Sequence, residues 1–185
     1  MRVVAGEYKG RHLKAVPGDS TRPTTDKVKE SMFNIIGPYF AGGSCLDMFA
    51  GSGGLAIEAV SRGIDHAFLS EKNRKAQDVI RTNIEITKEQ DKFTVLAGDS
   101  RRNVVKLASQ QDNLTFRLVF IDPPYQAEKT EEDILLLVKE GLVDDRTTFV
   151  CEMDKHTQLT DQIAGYQKIK RVEYGTIAIE IFEAL

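Results

Sequence analysis

The stretch Leu46-Asp47-Met48-Phe49-Ala50-Gly51-Ser52-Gly53-Gly54-Leu55 decides how this chain folds. A short apolar run reads as a buried strand over 44–49, and a glycine cluster stops it. Apolar residues at helical spacing follow over 55–61, ended by Gly63. Strand, glycine turn and helix in this order mark the switch point where open α/β sheets bind ligands. Glycine is needed where the backbone turns sharply and a ligand approaches it closely.

Outward from that turn the alternation continues. Strands are expected over 67–70, 93–96, 116–121 and 148–152, with helices over 74–87, 100–108 (capped by Ser100) and 131–140. The run over 116–121 is almost continuously apolar, as in a strand covered on both faces. Two last strand-like runs, 166–174 and 176–182, are separated by little more than Gly175 and read as a tight hairpin. The pattern predicts an α/β, Rossmann-like fold: a mostly parallel seven-stranded sheet closed by an antiparallel C-terminal hairpin. Residues 1–43 stand outside this alternation. They read as a small β-hairpin around Tyr8-Lys9-Gly10, a loop and a helix over 25–36 capped by Thr25 or Asp26, attached to a core over 44–185 as one unit.

Composition narrows the function classes. The chain has 185 residues, enough for one full core. No apolar run approaches the roughly 18 residues of a membrane span, and the opening residues lack the apolar stretch of a signal peptide, so a cytoplasmic location is expected. Cys45 and Cys151 read as buried, reduced thiols; His12, His66 and His156 are scattered, and no metal is expected. Net charge is −3, yet residues 1–30 carry seven Lys or Arg against four acids. Such an arm can meet phosphates, or it can be an ordinary solvated surface.

The acid in the glycine turn bears on the ligand. Asp47 suits a cation better than a pyrophosphate, and S-adenosylmethionine brings an ammonium and a sulfonium. Glu71, ending the second strand, can accept both hydroxyls of a ribose, and Asp99, ending the third, can accept from an adenine amine. Phe49, Gly51, Ser52, Gly53, Lys72 and Ser100 complete the candidate cofactor wall. A nicotinamide or flavin dinucleotide, or a merely structural turn, stays open on this segment alone; a P-loop is excluded because no Gly-Lys-Ser/Thr follows.

Asp122-Pro123-Pro124-Tyr125 ends the fourth strand. The lone pair of a base's exocyclic amine is delocalised into the ring, so an enzyme must hold the amine's protons to restore it as a nucleophile. The Asp122 carboxylate and the Pro123 carbonyl can accept those two N–H groups, Pro124 stiffens the corner, and Tyr125 offers a face on which an extruded base can stack. The plainer reading is a Pro-Pro stop with Tyr125 on the surface. Strands one and four are neighbours across the switch point, so both loops should face one crevice.

These residues resemble the RsmD-like methyltransferases over nearly the whole chain. The marks are Arg2-Val3-Val4-Ala5-Gly6 with Lys9-Gly10-Arg11, the run from Thr21-Arg22-Pro23-Thr24 through Glu30 with Phe33-Asn34, the glycine turn, and Asp122-Pro123-Pro124-Tyr125. Met48, Gly54 and Ser70 depart from the family's usual residues at positions without a proposed chemical role. The resemblance implies a class I S-adenosylmethionine-dependent methyltransferase fold acting on the N2 amine of a guanine in small-subunit (16S) ribosomal RNA, within a whole or partly assembled 30S particle. It further implies that the N-terminal hairpin and the loop carrying Arg22 and Thr24 lie over the crevice. Arg22 would meet cofactor or phosphate, and Arg2, Lys9, Arg11 and Lys14 would meet RNA. A monomer is expected. The alternatives are an adenine-N6 or cytosine-N4 methyltransferase, a nicotinamide-dependent oxidoreductase, or a non-catalytic RNA-binding factor.

Overall fold

The structure, a computed structural model, describes residues 1–18, 24–124 and 127–185. In chain order the elements are α1 (Asp26–Ile36), β1 (Ser44–Asp47), α2 (Gly54–Ser61), β2 (His66–Glu71), α3 (Arg74–Thr87), β3 (Phe93–Ala97), α4 (Ser100–Gln110), β4 (Phe116–Ile121), α5 (Ala127–Lys139), β5 (Val143–Asp154), β6 (Gln162–Ile163), β7 (Tyr166–Tyr174) and β8 (Ile177–Ala184). They build one sheet in the order β3-β2-β1-β4-β5-β8-β7-β6. The pairs β3-β2-β1-β4-β5 are parallel, and β5-β8-β7-β6 are antiparallel. Strand order reverses between β1 and β4, so the ends of those strands form the crevice edge.

The apolar sequence of β4 follows from its place between β1 and β5: Leu118 through Ile121 are all buried. Alternate residues feed two cores, Leu118 and Phe120 on one face, Val119 and Ile121 on the other. The sheet has one strand more than the seven expected. Two-residue β6 pairs with β7 about Ala164 and Gly165, both at positive φ, and is too short to leave a period in sequence. Strand β5 begins five residues earlier than expected: Asp144, Asp145 and Arg146 are polar, and a register shift against β4 accommodates them. Gly175, at φ +60°, opens the two-residue turn that joins β7 to β8.

Helix starts follow their caps. The Thr25 hydroxyl accepts from the Val28 amide at 3.3 Å, and Asn73 accepts from Ala76 at 3.0 Å. The expected cap Ser100 is corrected. Asp99 holds the extended cap conformation and accepts from the Arg102 amide at 3.0 Å, leaving Ser100 as the first helical residue.

The N-terminal arm makes a narrower hairpin than expected, a single bridge from Arg2 to His12. A buried ion network docks it. Glu58 accepts from the Val4 and Ala5 amides, and its carboxylate lies 3.3 Å from Lys29 Nζ and 2.8 Å from Arg62 Nε. Gly6 is required there, because a Cβ would sit 2.0 Å from the Ser61 carbonyl oxygen.

Candidate active site

A crevice of about 1110 Å³ opens along the C-terminal ends of the parallel strands. Both predicted corners line it: Asp47, Phe49, Gly51 and Ser52 from the turn after β1, and Asp122, Pro123 and Pro124 after β4. Glu71 at the end of β2, Lys72 after it, and Asp99 and Ser100 at the start of α4 complete the wall on that side. Thr24 reaches it from the N-terminal segment, together with Met1 and Lys29. Arg22 and Tyr125 lie outside the described residues.

The glycine turn is held in shape from behind. Gly51 and Gly53 sit at φ +57° and +85°, where a side chain is strained. Gly53 does not line the crevice; it caps α2, and a Cβ there would press on Leu69 at 3.2 Å. The Gly51 amide donates to Glu71 Oε1 at 2.9 Å and the Asn73 amide to Oε2 at 2.8 Å, so the acid that ends β2 is aimed by backbone. Each of its oxygens can accept a second bond, enough for two ribose hydroxyls. Sequence reasoning missed Asn83. It is fully buried in α3, donates to the carbonyls of Ser52 and Lys14, and accepts the Lys14 amide, tying the N-terminal arm to the glycine turn. A polar residue on the apolar face of a helix was its only trace.

Three carboxyls converge on the crevice floor. Asp47 is 2 % exposed and accepts a long bond, 3.3 Å, from the Phe49 amide. Burial, with the charges of Asp122 and Glu71 behind it, pushes its carboxyl up to about 8. Register places Ile121 beside Cys151, so the next residues stand side by side, Asp122 just past the end of β4 and Glu152 within the last residues of β5. Asp122 has surface open to the crevice, but its carboxyl is crowded by protein, and that desolvation raises it. Glu152, partly buried, is pushed up to about 9 by burial and by its hydrogen bond with Asp122. That bond needs a proton between the two carboxyls, and the proton belongs to the pair. Glu152 had no motif to reveal it; only the pairing of β4 with β5 brings it to Asp122.

Two of the cations at the wall, Lys29 and Arg101, are engaged by acids outside the crevice floor. Lys29 meets Glu58 and the Arg2 carbonyl, and Arg101 meets Asp133 at 2.8 Å and Glu132 at 3.1 Å. Among the described residues no cluster of three or more His, Cys, Asp or Glu is disposed to hold a metal. Cys45 and Cys151 are buried and free, and burial raises both thiols far above the range where a thiolate forms.

The predicted basic contacts divide. Lys9 and Lys14 point their side chains into solvent, and Arg2 pairs with Asp26 at 3.4 Å. Arg11 lies 5.1 Å over the Tyr8 ring and donates to the carbonyls of Ile86 and Thr87, capping the end of α3.

The fold is the Rossmann-like fold of S-adenosylmethionine-dependent methyltransferases. The chain belongs to the family described as Conserved hypothetical protein 95, whose model matches residues 1–183, and the resemblance to RsmD-like proteins holds. YlbH of Bacillus subtilis is 39% identical over 183 residues, covering 99% of this chain and 98% of its own. The protein named Ribosomal RNA small subunit methyltransferase D of Escherichia coli K12 is 30% identical over 186 residues, covering 99% and 89%. A solved structure of a conserved hypothetical protein of Streptococcus pyogenes is 43% identical with a TM-score of 0.78, covering 85% of this chain and 96% of its own.

Proposed function

We propose that this protein transfers a methyl group from S-adenosylmethionine to the exocyclic N2 amine of a guanine in small-subunit ribosomal RNA. One observation carries the reading: the glycine turn and the Asp122-Pro123-Pro124 corner open on the same crevice, and its floor gathers the carboxyls of Asp47, Asp122 and Glu152. Such a floor suits a cationic ligand, beside which its raised carboxyls ionise, better than the pyrophosphate of a dinucleotide, which disfavours a nicotinamide enzyme. The relatives' names supply the substrate class, ribosomal RNA of the small subunit, and the choice of guanine N2 is our own step.

In this reading Asp47 attracts the cofactor's charged amino-acid end, Glu71 accepts its ribose hydroxyls and Asp99 its adenine amine. Phe49, Gly51, Ser52, Lys72 and Ser100 line the cofactor's berth, with Thr24 and Arg22 closing it from the N-terminal side, and Gly53 shapes the turn beneath. When bound, the cofactor supplies an electrophilic methyl on a sulfonium. The target base is flipped out and stacks on Tyr125; Asp122 and the Pro123 carbonyl accept its two amine protons and turn the nitrogen lone pair toward that methyl. Positive charge developing on the nitrogen is stabilised by Asp122, and neither cysteine takes part. Residues 1–43 act as a cover, supported by Met1, Thr24 and Lys29 at the crevice wall. Lys9, Lys14 and Arg2 meet RNA phosphates, whereas Arg11 has first a structural task. We assign the protein to the cytoplasm, acting as a monomer on a 30S particle.

The test is transfer of label from methyl-labelled cofactor to undermodified small subunits, with the modified base mapped by mass. Asp122→Ala should lower single-turnover transfer by at least about 100-fold while cofactor affinity stays within a few-fold. Full turnover by that variant refutes the assignment.

A further inference from the structure

Glu152 has no task in the scheme above, yet it occupies the heart of the crevice. It stands beside Asp122 because β4 and β5 pair in register, and the two carboxyls share a hydrogen bond. On its other side β8 brings Ile179 opposite it, an apolar neighbour without a proton to trade. From α1, Met32 is apolar and Lys29 is bound to Glu58. Among the described residues the charges that act on Glu152 are those of acids, Asp122 after β4 and Asp47 on β1, and Asp154 of its own strand lines the same crevice. Pressing acids together is costly unless a proton or a cation joins them.

Resting on the methyltransferase reading, we propose that Glu152 and Asp122 work as one proton-holding pair: the pair releases its shared proton when a sulfonium methyl donor enters the crevice and takes one from the target amine after transfer. The charges balance. Before transfer the pair carries two negative charges beside one positive sulfonium. A carbon–sulfur bond breaks and a carbon–nitrogen bond forms, so the sulfur becomes neutral and the amine nitrogen becomes positive. That nitrogen gives one proton to Asp122, which it already touches, and Glu152 shares the charge left on the pair. The products are a methylated neutral amine, a neutral thioether and a pair holding one proton. The proton affinity of the pair thus returns at the step when the amine has a proton to lose. Glu152 acts through Asp122 and is a positioning residue.

Proton release on ligand binding tests this without RNA. Titration calorimetry at pH 8 in buffers of differing ionisation heat counts protons released per molecule of S-adenosylmethionine or S-adenosylhomocysteine bound. Asp47 and the ligand's own amine contribute to each count, so the comparison is between wild type and Glu152→Gln with one ligand. Wild type should release more than the variant by about half to one proton per S-adenosylmethionine, and the two should agree for the uncharged-sulfur product. Asp122→Asn should lose the same proton, which keeps the test open should Glu152→Gln fail to fold. Equal release by wild type and a folded variant overturns the pair while leaving the function standing. Absence of binding of either ligand to wild type overturns both.

Discussion

Replacing Asp47 by Asn should reverse its effect on stability between acid and alkaline pH. Asp47 is 2 % exposed, and its carboxyl sits at about 8 in the folded chain against about 3.9 when unfolded. A raised carboxyl stabilises the fold below the unfolded value and loses that contribution as pH climbs through the folded one. The gap of about four units sets a ceiling of about 5–6 kcal/mol lost between pH 4 and pH 9. Water in the open crevice weakens the penalty, so about 2–3 kcal/mol is expected. Asparagine keeps an oxygen for the Phe49 amide but puts an N–H₂ where the protonated acid has a hydroxyl, a cost of about 1–3 kcal/mol. The ligand-free variant should melt below wild type at pH 4–5, draw level near neutrality and melt above it at pH 9. The full swing is about 4–12 °C in Tm for a chain of this length. Thermal unfolding followed by circular dichroism across this range is the assay. Parallel Tm curves for the two proteins refute the claim that Asp47 is held as a frustrated acid, and with it the electrostatic case for a cationic ligand. The same variant should bind S-adenosylmethionine more weakly at pH 8, so stability and binding move in opposite directions.

Gly53→Val should lower stability by about 2–3 kcal/mol in urea unfolding, because the residue sits at φ +85° with Leu69 at 3.2 Å from the added Cβ. Its cofactor affinity should fall with the distorted turn. Arg11→Ala should cost about 1–2 kcal/mol by removing the donors that cap α3 and the cation over Tyr8, and should leave the salt dependence of RNA binding unchanged. Lys9→Ala with Lys14→Ala should instead keep the unfolding midpoint and reduce the slope of log affinity against log salt by about one per lysine. An unchanged slope would remove the arm from the RNA contact.

Local chemistry made most of the fold legible. The limits of α3, β4 and β7 agree with sequence periodicity because each is decided by its own residues: a capping Asn73, a Pro-Pro stop, a glycine at the turn. The positions of Asp47, Glu71, Asp99 and Asp122 at strand ends were readable for the same reason, since strand ends and glycine turns are local events. Where local signal was weak the reading slipped, at two-residue β6 and at the polar opening of β5, whose pairing is stabilised by neighbouring strands.

Sequence by itself determined the alternation, the glycine turn and the two corners, because backbone sterics and apolar period act over a few residues. Tertiary structure alone decided what those corners are made to share. Glu152 lies thirty positions from Asp122 in the chain, and only the parallel register of β4 with β5 makes them one titrating pair. Asn83 and Arg11 likewise took their tasks from distant backbone, the loop after β1 and the end of α3. Electrostatic interaction depends on separation in space and on exclusion of water, and neither quantity is written along a chain until it has folded.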